Sequence, residues 1–165
     1  MGLDGDLYKA VLVLHIVAAI VGFGAVFLNG VYAAQSKKRP GPEGRAVLEA
    51  NLAVTDIAEK LIYAVPVLGI VLVLISDDAW SFSDTWIWLS IVLYVVGIGV
   101  SHAVLLPGGK KIHALLLEME AGPPPAGGPP PQVAAVEAIG KRQAAAGGFQ
   151  NILLVVLVGL MVFKP

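Results

Sequence analysis

No cysteine occurs in the 165 residues, which removes disulfides, zinc-thiolate sites, cysteine-ligated iron-sulfur clusters and thiol nucleophiles. It leaves the compartment on either side of a membrane open. Charge is scarce too: charged residues make up 14% of the chain against 57% hydrophobic, well below the roughly one-quarter charged of a soluble domain. The 11 basic residues are scattered and the formal net charge is -1, so no concentrated Lys/Arg surface exists for nucleic-acid phosphates. Gly-rich nucleotide loops, an HExxH zinc motif and recognisably spaced catalytic carboxylates are all missing. No enzyme class follows from the residues, and no metal site is assigned. What the chain has instead is apolar length, with a mean hydropathy of +0.81.

The clearest apolar run is 8–34, YKAVLVLHIVAAIVGFGAVFLNGVYAA, which in helix suits a hydrocarbon core of roughly 30 Å. Asp4 and Asp6 precede it where a secretory signal would be basic, so an uncleaved first span is expected. Ala18, Gly22, Val26 and Gly30 recur at four-residue spacing. Small residues on one face let a second helix approach closely, the main source of packing energy in lipid. That face serves either ordinary bundle packing or docking onto another chain.

The segment SKKRPGPEGR ends this helix and brings Lys37, Lys38, Arg39 and Arg45 close together, which reads as cytoplasmic. A second span, 56–76, contains Pro66, where a kink is expected. The acidic loop after it carries no Lys or Arg and is read as extracytoplasmic, with Trp80, Trp86 and Trp88 as interfacial anchors. A third span, 86–106, includes Gly97 and His102 and is expected to stop at PGGKK, 107–111. Beyond it, Ile112, Leu115, Leu116 and Met119 share one face of a short interfacial helix. A flexible Pro/Gly linker, 121–131, follows, and helical periodicity resumes with Val133, Val136 and Ile139. A fourth span, 145–163, reaches membrane length only if the residues before Ile152 are counted. The expected fold is therefore all-α: one integral membrane domain over residues 1–165, a polytopic four-helix bundle with short interfacial helices. Basic and acidic loops then alternate, which places both termini on the extracytoplasmic side of the membrane.

Ionisable residues at membrane depth carry the functional weight, because burying them is costly. Asp56 and Lys60 can pair four residues apart, and Lys60 can reach the headgroups. Glu59 points elsewhere, toward Asn29 and His102 if the first three helices pack together. His15 and His102 are the candidate cofactor ligands, or else interhelical hydrogen-bonding groups. Helix rise puts them roughly 15 to 20 Å apart along the membrane normal, too far for one iron. His113 lies outside the hydrocarbon.

The pair Leu14 and His15 followed by Gly22 and Gly24, the polar head of the second helix and the Trp-rich start of the third together resemble a bacterial family of predicted four-helix integral membrane proteins of unknown function. That family is similar to the membrane proteins HemJ and CopD. The resemblance covers roughly residues 8–120 and implies haem b at a first-helix histidine, a role that falls on His15. A HemJ-like enzyme also implies a lysine at mid-depth, whereas Lys60 stands at the end of its span. CopD-like copper handling implies soft ligands, whereas Met119 and Met161 are far apart in sequence. The leading expectation is a structural or accessory subunit in a homo-oligomer or larger membrane complex, with the lipid bilayer as its medium. A b-type haem-binding protein comes second, and an ion or proton pathway third.

Overall fold

A computed structural model describes residues 2–39, 41–122 and 127–165. The helices are α1 (Asp6–Lys37), α2 (Gly41–Leu74), α3 (Thr85–Val100), α4 (Leu106–Ala121) and α5 (Pro131–Phe163), with a π-helical turn, Ser101–Leu105, joining α3 to α4. Four helical rods are thus long and apolar enough to cross a membrane, the third running unbroken over Thr85–Ala121. Among the described residues there is no strand. Residues 123–126 of the expected flexible linker lie outside the described residues.

PGGKK does not stop the third helix, contrary to the sequence expectation. Pro107 has no N–H to give, and the register slips one residue just before it, so that Leu106 N–H bonds the Ser101 carbonyl. The π turn absorbs the proline and the helix continues. Residues 112–120 are accordingly the end of this rod, not a separate helix lying at the interface. In the same way, the periodicity at 133–139 and the last apolar run belong to one helix, α5.

Pro66 is accommodated inside α2. Its missing N–H leaves the Ile62 carbonyl without its usual helical donor, and the Tyr94 hydroxyl of α3 donates to that oxygen at 3.3 Å. A defect in one helix is thereby turned into a tie to another.

α1 and α2 form a long antiparallel hairpin. Its turn uses Gly41 at φ +58°, a left-handed conformation that favours glycine. Ala18 is 4% exposed and Gly22 is buried against α2. A Cβ on Gly22 would meet Ile62 Cγ1 at 2.9 Å and the Ile62 backbone nitrogen at 3.2 Å. Gly30 has nothing within 4 Å of its Cβ position and is exposed. The expected packing stripe is therefore half used, and used inside the protomer. α5 packs on α3, α4 and α1; its Leu153 lies 3.1 Å from a Cβ built on Gly97, and Gln150 Nε2 donates to the Gly97 carbonyl at 3.0 Å.

One end of the bundle is aromatic. Trp80 Nε1 donates to the Tyr8 hydroxyl at 3.2 Å, and Trp80 and Trp86 meet edge to face with centroids 5.3 Å apart. Lys164 Nζ lies 4.2 Å from the Trp80 ring centre, within cation-π range. Beneath them Ser76, 1% exposed, organises the loop. Its hydroxyl donates to Val73 O at 2.8 Å and accepts from Trp80 N–H at 3.1 Å. Both chain ends and the acidic loop thus share one end, as an even number of crossings requires.

The other end is basic and is tied by charge. Arg45 Nε reaches both Glu120 oxygens, at 3.0 and 2.9 Å, and its guanidinium also meets Glu49 at 2.5 Å. His113 Nε2 lies 2.9 Å from the same Glu49 carboxylate. Hydrogen bonds from His113 and Arg45 hold Glu49 below the usual carboxylate range. This cluster joins α2 to α4 outside the apolar span. His113, expected to lie outside the hydrocarbon, is part of it.

Candidate functional site

The backbones of α2 and α3 barely approach each other, although α2 is closely packed on α1. Polar side chains bridge the gap. In addition to the Tyr94 tie, the Tyr63 hydroxyl donates to Glu59 Oε1, one helical turn earlier. From the π turn, His102 Nε2 lies 2.8 Å from the Tyr63 oxygen and 3.2 Å from Glu59 Oε1. His102 Nδ1 is 3.1 Å from the Ile98 carbonyl.

Counting protons defines the chemistry of this group. A carbonyl oxygen only accepts, so Nδ1 carries a proton toward Ile98. Closing the contacts among Glu59, Tyr63 and His102 Nε2 takes two more. The tyrosine supplies one, and the other belongs either to Nε2, with Tyr63 donating to Glu59 and imidazolium beside carboxylate, or to Glu59, which then donates to Tyr63 while Tyr63 donates to Nε2, giving a neutral pair. Both forms carry no net charge and differ only in where the protons along these bonds sit. The π turn presents His102 at this position, and such turns recur at functional sites. Tyr63 escaped the sequence reading; its place four residues after Glu59 was the available signal.

His15 sits elsewhere, between α1 and α2. Its Nδ1 is 2.9 Å from the Val65 carbonyl, which makes Nδ1 the protonated nitrogen and leaves Nε2 with its lone pair. Gly69 makes room for the ring, since a Cβ there would lie 3.3 Å from His15 Cε1. No hydrogen bond of Nε2 occurs among the described residues. The α2 groups met by the two histidines fall within residues 59–69, a rise of at most about 15 Å. The two rings are therefore no farther apart than the lower edge of the spacing expected from sequence.

The other expected site residues are not drawn together. Asn29 meets Thr55, whose hydroxyl is 3.4 Å from Asn29 Oδ1 and also donates to Asn51 O at 2.8 Å. Asp56 and Lys60 pair at 3.8 Å on an exposed face. Glu59 thus meets His102, as expected, but not Asn29. Among the described residues no group of three or more His, Cys, Asp or Glu could hold a metal ion.

No curated protein matches the chain, and no solved structure does. A family model does, over residues 9–165. Covering nearly the whole chain and all four rods, that match means that the protein belongs to the family described as predicted integral membrane protein (DUF2269).

Proposed function

We propose that the protein is an accessory subunit that docks against another transmembrane chain, a second copy or a larger complex, over the seam between α2 and the π turn. The observation that carries this is the exposure of Glu59 and His102, whose side chains are 25% and 47% accessible. Tyr63 beside them is also exposed. His102 follows the Trp86 anchor by about 16 residues, hence about 24 Å of rise, inside a core of roughly 30 Å. An ionisable cluster at that depth is costly when it faces lipid and belongs against protein. A photo-reactive phenylalanine analogue at Val67, one turn from Tyr63 and exposed, should form a higher-mass adduct in intact membranes. The same probe at Ile20 on α1, also exposed, should not. An adduct at twice the chain mass identifies a homo-oligomer and any other mass a larger complex; equal behaviour of the two probes would falsify the docking face.

The basic end faces the cytoplasm of a bacterial cell in this reading, and both termini face away, because Lys37, Lys38, Arg39, Lys110 and Lys111 concentrate there. Cysteine placed at Ser81 should react with an impermeant thiol reagent added to intact cells, and cysteine at Ser36 should not. Reversed labelling inverts the orientation.

A second reading, b-type haem binding, is favoured by one feature: His15 gives Nδ1–H to Val65 and keeps Nε2 as a donor atom suited to iron. Axial imidazoles of metal centres are held by such backbone bonds, and the imidazole would tune the iron's potential. The visible spectrum decides it. Ion or proton movement has less support, since the Glu59, Tyr63 and His102 bonds lead no further than Ile98.

A further inference from the structure

We propose that the basic end of the bundle holds the phosphate of an anionic phospholipid between Lys37 of α1 and Lys141 of α5. These two lysines, with Met119, Val133, Val136 and Glu137, line a cavity of about 410 Å³. Lys37 reaches it by lying across α5 at Gly140, a buried glycine: a Cβ there would be 3.4 Å from Nζ and 3.8 Å from Cε. Neither lysine forms an ion pair among the described residues.

Depth identifies the ligand. Phe163 ends α5 beside Lys164, which stacks on Trp80 at the aromatic interface. From there to Gly140 is about 23 residues, hence about 35 Å of rise. That is a few ångströms beyond a hydrocarbon core of roughly 30 Å, the level of lipid phosphates in the opposite leaflet. Two ammonium groups against the one carboxylate of Glu137 leave the lining with a single positive charge in excess. That balance fits a phosphodiester bearing one negative charge better than a multiply charged anion, and better than a zwitterionic headgroup. Met119, Val133 and Val136 complete the lining, and apolar surface beside the ammonium groups strengthens a charge-assisted bond to phosphate. The lipid's acyl chains then run back along the exposed apolar surface of the rods.

The full-length protein, delipidated in neutral detergent, is titrated with phosphatidylglycerol while thermal unfolding is followed by tryptophan fluorescence. Phosphatidylglycerol should raise the midpoint, and phosphatidylcholine should raise it much less. In Lys37→Gln/Lys141→Gln the concentration needed should increase by about tenfold or more, the scale of hydrogen bonds to charged groups. Lys38→Gln, which lies outside the cavity lining, should behave like the parent protein. If the double variant does not fold, the single Lys141→Gln variant carries the same expectation. An equal shift with phosphatidylcholine, or an undiminished shift in the lysine variant, overturns the site. An equal shift with inorganic phosphate assigns it to a free anion and overturns the lipid.

Discussion

Gly22→Leu should drive α1 off α2 and abolish the folded protomer, read as loss of the monodisperse peak in detergent and of cooperative thermal unfolding. Even a methyl group at this position meets Ile62 side chain and backbone nitrogen at 2.9 and 3.2 Å, and the backbone cannot yield as a side-chain tip can. Inserting bulk into a close-packed contact costs about 1–3 kcal/mol, occasionally more, and a bulky side chain here holds apart two backbones whose close approach depends on a small residue. Gly30→Leu should be tolerated, because the space beside Gly30 is open. The pair of variants separates packing within the protomer from docking between chains. Should Gly30→Leu be as damaging as Gly22→Leu, the Gly30 half of the stripe is an assembly contact.

If the haem-binding reading holds, His15→Ala removes the Soret band from protein expressed with ample haem, while His102→Ala and His113→Ala leave it in place. The distinction rests on what each ring already does. His102 Nε2 is engaged by Tyr63 and Glu59, and His113 Nε2 by Glu49, whereas His15 uses only Nδ1. An axial imidazole sets the iron's spectrum directly, so its loss is not graded. A colourless parent protein eliminates the cofactor reading and leaves His15 as a hydrogen bond between α1 and α2. Loss of the band in His102→Ala alone would move the iron to the α2–α3 seam.

The rods were legible in the sequence because hydropathy over some twenty residues is a strong signal. The alternation of basic and acidic loops likewise anticipated that both chain ends meet the acidic loop. Helix boundaries were less legible. Pro107 and its glycines read as a stop, since a sequence window cannot reveal that a π turn will absorb the missing donor. Nor can it reveal that Gln143 Nε2 of α5 donates to the Val104 and Leu105 carbonyls at 3.2 and 2.8 Å, a tie to this turn arriving from 38 residues away. At the candidate site, Glu59 with His102 could be anticipated from depth, whereas Tyr63 could not be separated from an ordinary interfacial tyrosine. How much of the small-residue stripe the bundle itself uses was not legible for a related reason: spacing shows which residues share a face, but not how far along that face the neighbouring helix stays in contact.

The π turn also acts as a phase offset. A π turn takes up one extra residue, so everything beyond it lags by about 100° around the axis behind its place in an unbroken α-helix. The lower half of the third rod is therefore rotated relative to the direction its upper half would have dictated. With that added rotation His113 and Glu120 face Glu49 and Arg45; without it the same sequence would send them around the rod, away from α2. The single residue that lets the helix pass a proline thus also determines which side of its extension beyond the apolar span is sticky, and links the charge clamp at the base to the geometry that presents His102 at the seam.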